Sequence, residues 1–307
     1  MSDASRNLHV WTEYYDKFTY FSDAKVRPGC HPRILEHRGS TKNSIVLVHG
    51  LSDSPYFMSA IGEYFHNELN YNVYMPLLHF HGLKEPHGME GVELEEWELN
   101  VSYALDCAER NSDVVSIGGL STGGNLSFAI ANTRPGINGA VYLFSAALDL
   151  AGGPIGLIGD MKEKLLRSFL ADVFDINKEL IGDNPYRYTH VDMDGAKELA
   201  RLIKRTDTII HGFSAKNPFN KYLFAAHSEA DTTANIEGIE NLFKVCTPTK
   251  SHFERFPAKD EIAHASLVLK HSISGITKPE AANPKFSEMM QKIAAFEQKV
   301  AVNKAIE

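Results

Sequence analysis

A serine set between glycines in the run Gly119-Leu120-Ser121-Thr122-Gly123 has the spacing of a nucleophile held in a tight strand-to-helix turn. In such a turn the hydroxyl stands above the edge of a sheet. The glycines are needed because a larger side chain would strike the neighbouring strand and helix. Ser121 is the candidate nucleophile, and acyl transfer is the candidate chemistry. The five residues alone also fit an ordinary glycine-rich turn. A phosphate-cradling loop fits them poorly, since the run lacks the Lys-Ser/Thr ending of a P-loop and the GxGxxG order of a dinucleotide site.

A serine hydroxyl attacks a carbonyl at neutral pH only if a base takes its proton, and the base must itself be oriented by a carboxylate. His264, in DEIAHASLVL, follows the last strand-like segment and stands where the chain order Ser, Asp, His requires the base. A helix-capping or core histidine would look the same. Asp231, in AAHSEADTT, follows a strand-like run, so a parallel sheet would put it at the same carboxyl edge as Ser121. Glu229 in the same loop and Asp149 after the preceding strand compete for that role, and a turn aspartate is the plainer reading. Two backbone N–H groups are placed to hold an oxyanion: that of Thr122, at the positive end of the following helix, and that of Leu51, after His49-Gly50.

His79, His81 and His87 form an HxH pattern with a third histidine six residues on, a hint of zinc that no cysteine or carboxylate completes. Cys30, Cys107 and Cys246 are an odd number and far apart, so they form no disulfide framework and are expected as reduced thiols. Cys107 falls on an apolar helical stripe, where it reads as a small buried hydrophobe.

Positioning these residues requires alternating strands and helices. Short apolar runs at Ser44–Val48, Asn72–Leu78, Asp113–Ile117, Ala140–Ala146, Tyr222–Ala226 and, weakly, Phe253–Phe256 alternate with helical patterns, which implies an α/β fold with a mostly parallel sheet. Helices are expected over Pro55–Asn67, from Leu94 to near Asn111, over Asn125–Asn132, and along the stripe Phe286, Met289, Met290, Ile293, Phe296, Val300. That last stripe reads as core packing rather than a membrane or partner surface. From about 150 to 206 helical pattern replaces the alternation, which suggests an inserted cap of residues 150–206 on a core of 1–149 and 207–307. Phe18–Phe21 and Arg33–Glu36 are too short to assign.

With 307 residues, 43% hydrophobic and 23% charged, the chain has the makings of a large core. A formal net charge of −8 offers no basic field for nucleic acid. No run approaches the ~20 apolar residues of a membrane span, and the N-terminus lacks a signal-peptide pattern, so a cytoplasmic location is expected.

The ordered pieces VLVHGLSDSP, PLLHFHG, EEWELNV, IGGLSTGG, SEAD and AHAS together resemble the α/β-hydrolases, and within them the bacterial carboxylesterases and monoacylglycerol lipases, over about residues 40 to 275. The resemblance implies an α/β-hydrolase fold with a mostly parallel central sheet flanked by helices and a helical cap inserted after the sixth strand. It implies Ser121 as nucleophile, Asp231 as orienting acid, His264 as base, and the Leu51 and Thr122 amides as oxyanion hole. The implied activity is hydrolysis of carboxylic esters of acyl chains, small-molecule substrates, through an acyl-enzyme on Ser121, without a cofactor or metal. Cap residues such as Leu157, Ile158, Leu165, Phe169 and Phe174 would either line an acyl tunnel or dock the cap. The same triad also serves thioesterases and carbon-carbon bond hydrolases, and some relatives are non-catalytic receptors. Two positions depart from the family pattern and bear on substrate preference: Phe80 stands for the first glycine of Gly-His-Gly, and Thr122 where methionine or glutamine is frequent.

Overall fold

A computed structural model describes residues 9–39, 41–85, 88–151 and 183–306. Seven strands form one sheet: β1 (Arg33–Leu35), β2 (Asn43–Val48), β3 (Tyr71–Met75), β4 (Val114–Leu120), β5 (Ala140–Phe144), β6 (Tyr222–Ser228) and β7 (Ser251–Phe256). Their order across the sheet is β1-β3-β2-β4-β5-β6-β7. Only β1, against β3, is antiparallel; the other pairs are parallel, as the alternation of elements implied. β1 is the strand that was too short to assign from sequence. Phe18 and Phe21 instead join Trp11, Tyr14 and Tyr103 in an aromatic cluster.

The period-2 alternation of the strands builds two cores. In β2, Ile45 and Leu47 face one side while Val46 and Val48 face the other. Helices α2 (Ser59–Leu69) and α7 (Phe286–Ile306) cover the first side through Ile61, Phe65 and the Phe286 to Val300 stripe. Helices α3 (Leu94–Asn111), α4 (Thr122–Thr133), α5 (Met193–His211) and α6 (Ile236–Phe243) supply side chains to the other core. A short helix, α1 (Glu13–Lys17), precedes the sheet.

Several boundaries differ from those expected, each for a local reason. β3 ends at Met75 because Pro76 offers no N–H to extend the ladder. β4 runs on through Gly118 and Gly119 to Leu120, because β5 lies so close that a Cβ on Gly118 would sit 2.6 Å from that of Tyr142. β5 stops at Phe144, just before Ser145 turns to φ 42°. No helical stripe marks α6 in the sequence, because its eight residues are too few for one to stand out.

The expected cap divides between two regions. Residues 152–182, with Leu157, Ile158, Leu165, Phe169 and Phe174, lie outside the described residues. In the described chain this segment follows β5, whereas the resemblance placed the cap after a sixth strand. Beyond it, α5 packs on α3 and α4 through Leu199, Leu202 and Ile203. It is tied to α3 by the pairs Arg201 with Glu95 and Arg205 with Glu98.

Candidate active site

Leu51, Ser121, Asp231 and His264 all follow the carboxyl ends of parallel strands, β2, β4, β6 and β7 respectively, the edge where open α/β sheets bind ligands. Ser121 sits at the N-cap of α4 with φ 54° and ψ −119°, a backbone conformation that costs energy for any residue with a side chain. Main-chain bonds hold it there. Its amide donates to the Phe144 carbonyl at 3.0 Å, and its carbonyl accepts from the amides of Asn125 and Ala147, both at 3.0 Å.

The glycines beside it are there for space. A Cβ on Gly119 would lie 2.4 Å from the Val48 carbonyl oxygen and 2.5 Å from the Gly123 carbonyl carbon; on Gly123 it would lie 2.2 Å from Val48 O and 2.3 Å from His49 O. Because these neighbours are backbone, they cannot swing away. Gly119→Ala is therefore expected to cost about 3 kcal/mol or more, lowering Tm by roughly 5–10 °C in a thermal melt. An unchanged Tm would contradict this reading of the turn.

His264 caps a short 3-10 turn, Ala265–Val268, and its Nδ1 lies 2.7 Å from Asp231 Oδ2. The Asp231 side chain is fully buried. Its second oxygen accepts from the amides of Thr233 at 2.8 Å and Ala234 at 3.0 Å. Burial alone would raise its pKa, but the charge and hydrogen bond of His264, then His227 and the Thr233 amide, outweigh burial and hold the carboxyl below its ordinary value. Ser121, Thr122, Leu51 and His264 line one cavity of about 640 Å³.

The rival acids are engaged elsewhere. Glu229 pairs with Arg255 at 2.7 Å and accepts from the Ala258 amide at 3.1 Å. Asp149 Oδ1 accepts from the next amide, that of Leu150, at 3.0 Å. Among the described residues no group of three or more histidine, cysteine or carboxylate side chains is placed to hold a metal ion; His87 lies outside them. His79 pairs with Glu96 at 3.1 Å, and His81 bonds the His79 carbonyl at 2.9 Å. His49 is fully buried, which pushes its pKa well down; its Nε2 accepts from the Leu78 amide at 3.1 Å. These imidazoles brace the loops beside the site.

Sequence similarity and structural likeness point the same way. No family model matches the chain. It is 29% identical over 115 residues to a thermostable monoacylglycerol lipase of Bacillus sp. (strain H-257). That match takes in 38% of this chain and 45% of the lipase, so the chain spans under half the length of that curated relative. Among solved structures, it superposes on a metagenome-derived lipolytic enzyme with a TM-score of 0.67 at 18% identity, covering 90% of this chain and 100% of the other. It matches a Paleococcus ferrophilus monoacylglycerol lipase at TM-score 0.61 and 15% identity, covering 88% and 99%. A soluble variant of monoglyceride lipase from Saccharomyces cerevisiae, in complex with a substrate analog, gives 0.62 at 11% identity, covering 88% and 92%.

The chain has the α/β-hydrolase fold.

Phe80, one of the two departures, has φ 57°, in the region where glycine is at ease. Thr122, the other departure, places a hydroxyl that is buried with no hydrogen-bond partner among the described residues. Two groups beside the site have little mark in the sequence. His227 is fully buried, with Nε2 3.2 Å from the Ala234 carbonyl and 3.4 Å from Asp231 Oδ2. Desolvation lowers its pKa against the pull of Asp231, and its hydrogen bond to the Ala234 carbonyl steadies the backbone whose amide donates to Asp231. Its only sequence signal is its position four residues before Asp231. The second group, Asp53, Arg187 and Glu280, lines the cavity beside Ser121; Asp53 lies two residues past Leu51, but nothing local marks its partners.

Proposed function

We propose that this protein hydrolyses carboxylic esters of acyl chains through an acyl-enzyme on Ser121. His264, its Nδ1–H held by Asp231, takes the Ser121 proton on Nε2 as Oγ attacks the carbonyl carbon. The amides of Leu51 and Thr122 stabilise the oxyanion; where such a donor has been removed the loss is about 10²- to 10³-fold. Collapse of the tetrahedral intermediate breaks the bond to the alcohol, which leaves with the proton from His264. Water, deprotonated by His264, then attacks the acyl carbon, and the acid leaves as Ser121 regains its proton. No step calls for a cofactor.

The observation that carries this reading is the His264 to Asp231 hydrogen bond of 2.7 Å, with His264 and Ser121 on the wall of one cavity. The relatives named as lipases add support for esters as the substrate class. All three cysteines are buried and free, which suits a reducing compartment such as the cytoplasm. Among the described residues no helix is long and apolar enough to cross a membrane.

Rates on p-nitrophenyl esters of graded acyl length, a monoacylglycerol and an acyl-CoA test the substrate class. Esters are expected to give the higher kcat/KM. A preference for acyl-CoA would move the assignment to a thioesterase, and no turnover of any of them would contradict an acyl-transfer enzyme.

A further inference from the structure

The turn that carries Leu51 is strained and is held by a buried ionic cluster. Asp53 N donates to Gly50 O at 3.2 Å and closes a tight turn over Leu51 and Ser52. Ser52 has φ 64°, unfavourable for a residue with a Cβ, so the turn needs outside support. Two contacts from one segment provide it. The Tyr188 amide donates to the Ser52 carbonyl at 2.9 Å, and Arg187 Nε lies 3.0 Å from Asp53 Oδ1. That nitrogen is not aligned for a hydrogen bond, so charge attraction makes the contact.

Arg187 is itself held on two further sides. Its Nη1 lies 3.3 Å from Glu280 Oε1, and its guanidinium lies 4.2 Å from the centre of the Phe57 ring. Asn184 Nδ2 ties the same Glu280 oxygen back to the segment at 2.7 Å. The side chains of Arg187 and Asp53 are 10% and 7% exposed, so their attraction is little screened. Burial pushes Asp53 up to about 6, against the pull of Arg187, and at neutral pH the carboxylate is mainly ionised.

We infer that Asp53, Arg187 and Glu280 form a charged clamp that fixes the Gly50-to-Asp53 turn so that the Leu51 amide points at the oxyanion. This inference rests on the ester-hydrolase reading above. The three are positioning residues: they act through the turn rather than on the reacting atoms. A clamp that aims a donor serves the transition state more than the bound substrate, so its loss should appear in kcat rather than KM.

Arg187→Met alone would strand two buried carboxylates and endanger folding. Two gentler variants avoid this. Asp53→Asn keeps the turn-closing amide and leaves Arg187 paired with Glu280. The combined Asp53→Asn/Arg187→Met/Glu280→Gln removes all three charges together. Each is measured at neutral pH for kcat and KM on p-nitrophenyl butyrate and for inhibition by an alkylboronic acid, which forms a tetrahedral adduct on the serine.

Both variants are expected to lose about 10- to 100-fold in kcat, the scale of an ångström misplacement, with boronate affinity falling in parallel and KM little changed. Wild-type kcat and boronate affinity in either folded variant would overturn the clamp while leaving the ester-hydrolase reading standing. A raised KM with unchanged kcat would also overturn it, in favour of direct substrate binding. An inactive wild-type protein would sink both.

Discussion

Ser121→Ala is expected to remove ester turnover while leaving the melting curve unchanged. The reason lies in what alanine keeps. The bonds that hold the turn are main-chain bonds to Phe144, Asn125 and Ala147, and alanine retains the Cβ around which Gly50 and its neighbours pack. Only Oγ goes, and with it the covalent path. Where a comparable serine nucleophile has been removed, kcat fell about a millionfold. Purified Ser121→Ala assayed on a p-nitrophenyl ester, beside a thermal melt, checks both parts. Retained activity would show that the nucleophile is misassigned.

Asp231→Asn should carry the next largest loss. An asparagine there can offer its amide N–H to His264 Nδ1, which favours the imidazole tautomer whose Nε2 carries the proton and cannot act as base. In a protease triad that exchange costs about 10⁴-fold in kcat. Asp149→Asn is expected to stay near wild type, because its carboxylate serves the adjacent Leu150 amide at 3.0 Å. Steady-state kcat for the two variants decides between them, and the reverse ranking would move the acid to Asp149. Asp231 also has a stability consequence. Its folded pKa is lowered, so it contributes stability above the ordinary carboxylate range that is lost as pH falls through the lowered value.

Local pattern carried much of this fold. The β2 run was legible because each residue of Ile45 to Val48 is apolar and buried on one face or the other. The Ser121 turn was legible because close backbone approach forces glycine at 119 and 123. Ser121 was legible from its glycine spacing, His264 from the chain order Ser, Asp, His, and Asp231 from a strand end at the same edge, with their roles implied by the family resemblance. What stayed hidden depends on long-range pairing. β1 has three residues and is defined by antiparallel register with β3. Arg187 meets Asp53 only because the segment from Asn184 to Tyr188 crosses the mouth of β2, and no composition signal marks such a meeting. His227 carries little mark in the sequence because a histidine inside a strand looks like any other core polar group; burial beside Asp231 is what distinguishes it.

The most direct test of Ser121 as an activated nucleophile is intact-mass spectrometry after brief exposure to a fluorophosphonate, followed by peptide mapping. One adduct per chain, on the peptide containing Ser121 and lost on prior denaturation, is the expected result. An unmodified chain, or label on a different residue with Ser121 untouched, would contradict the account.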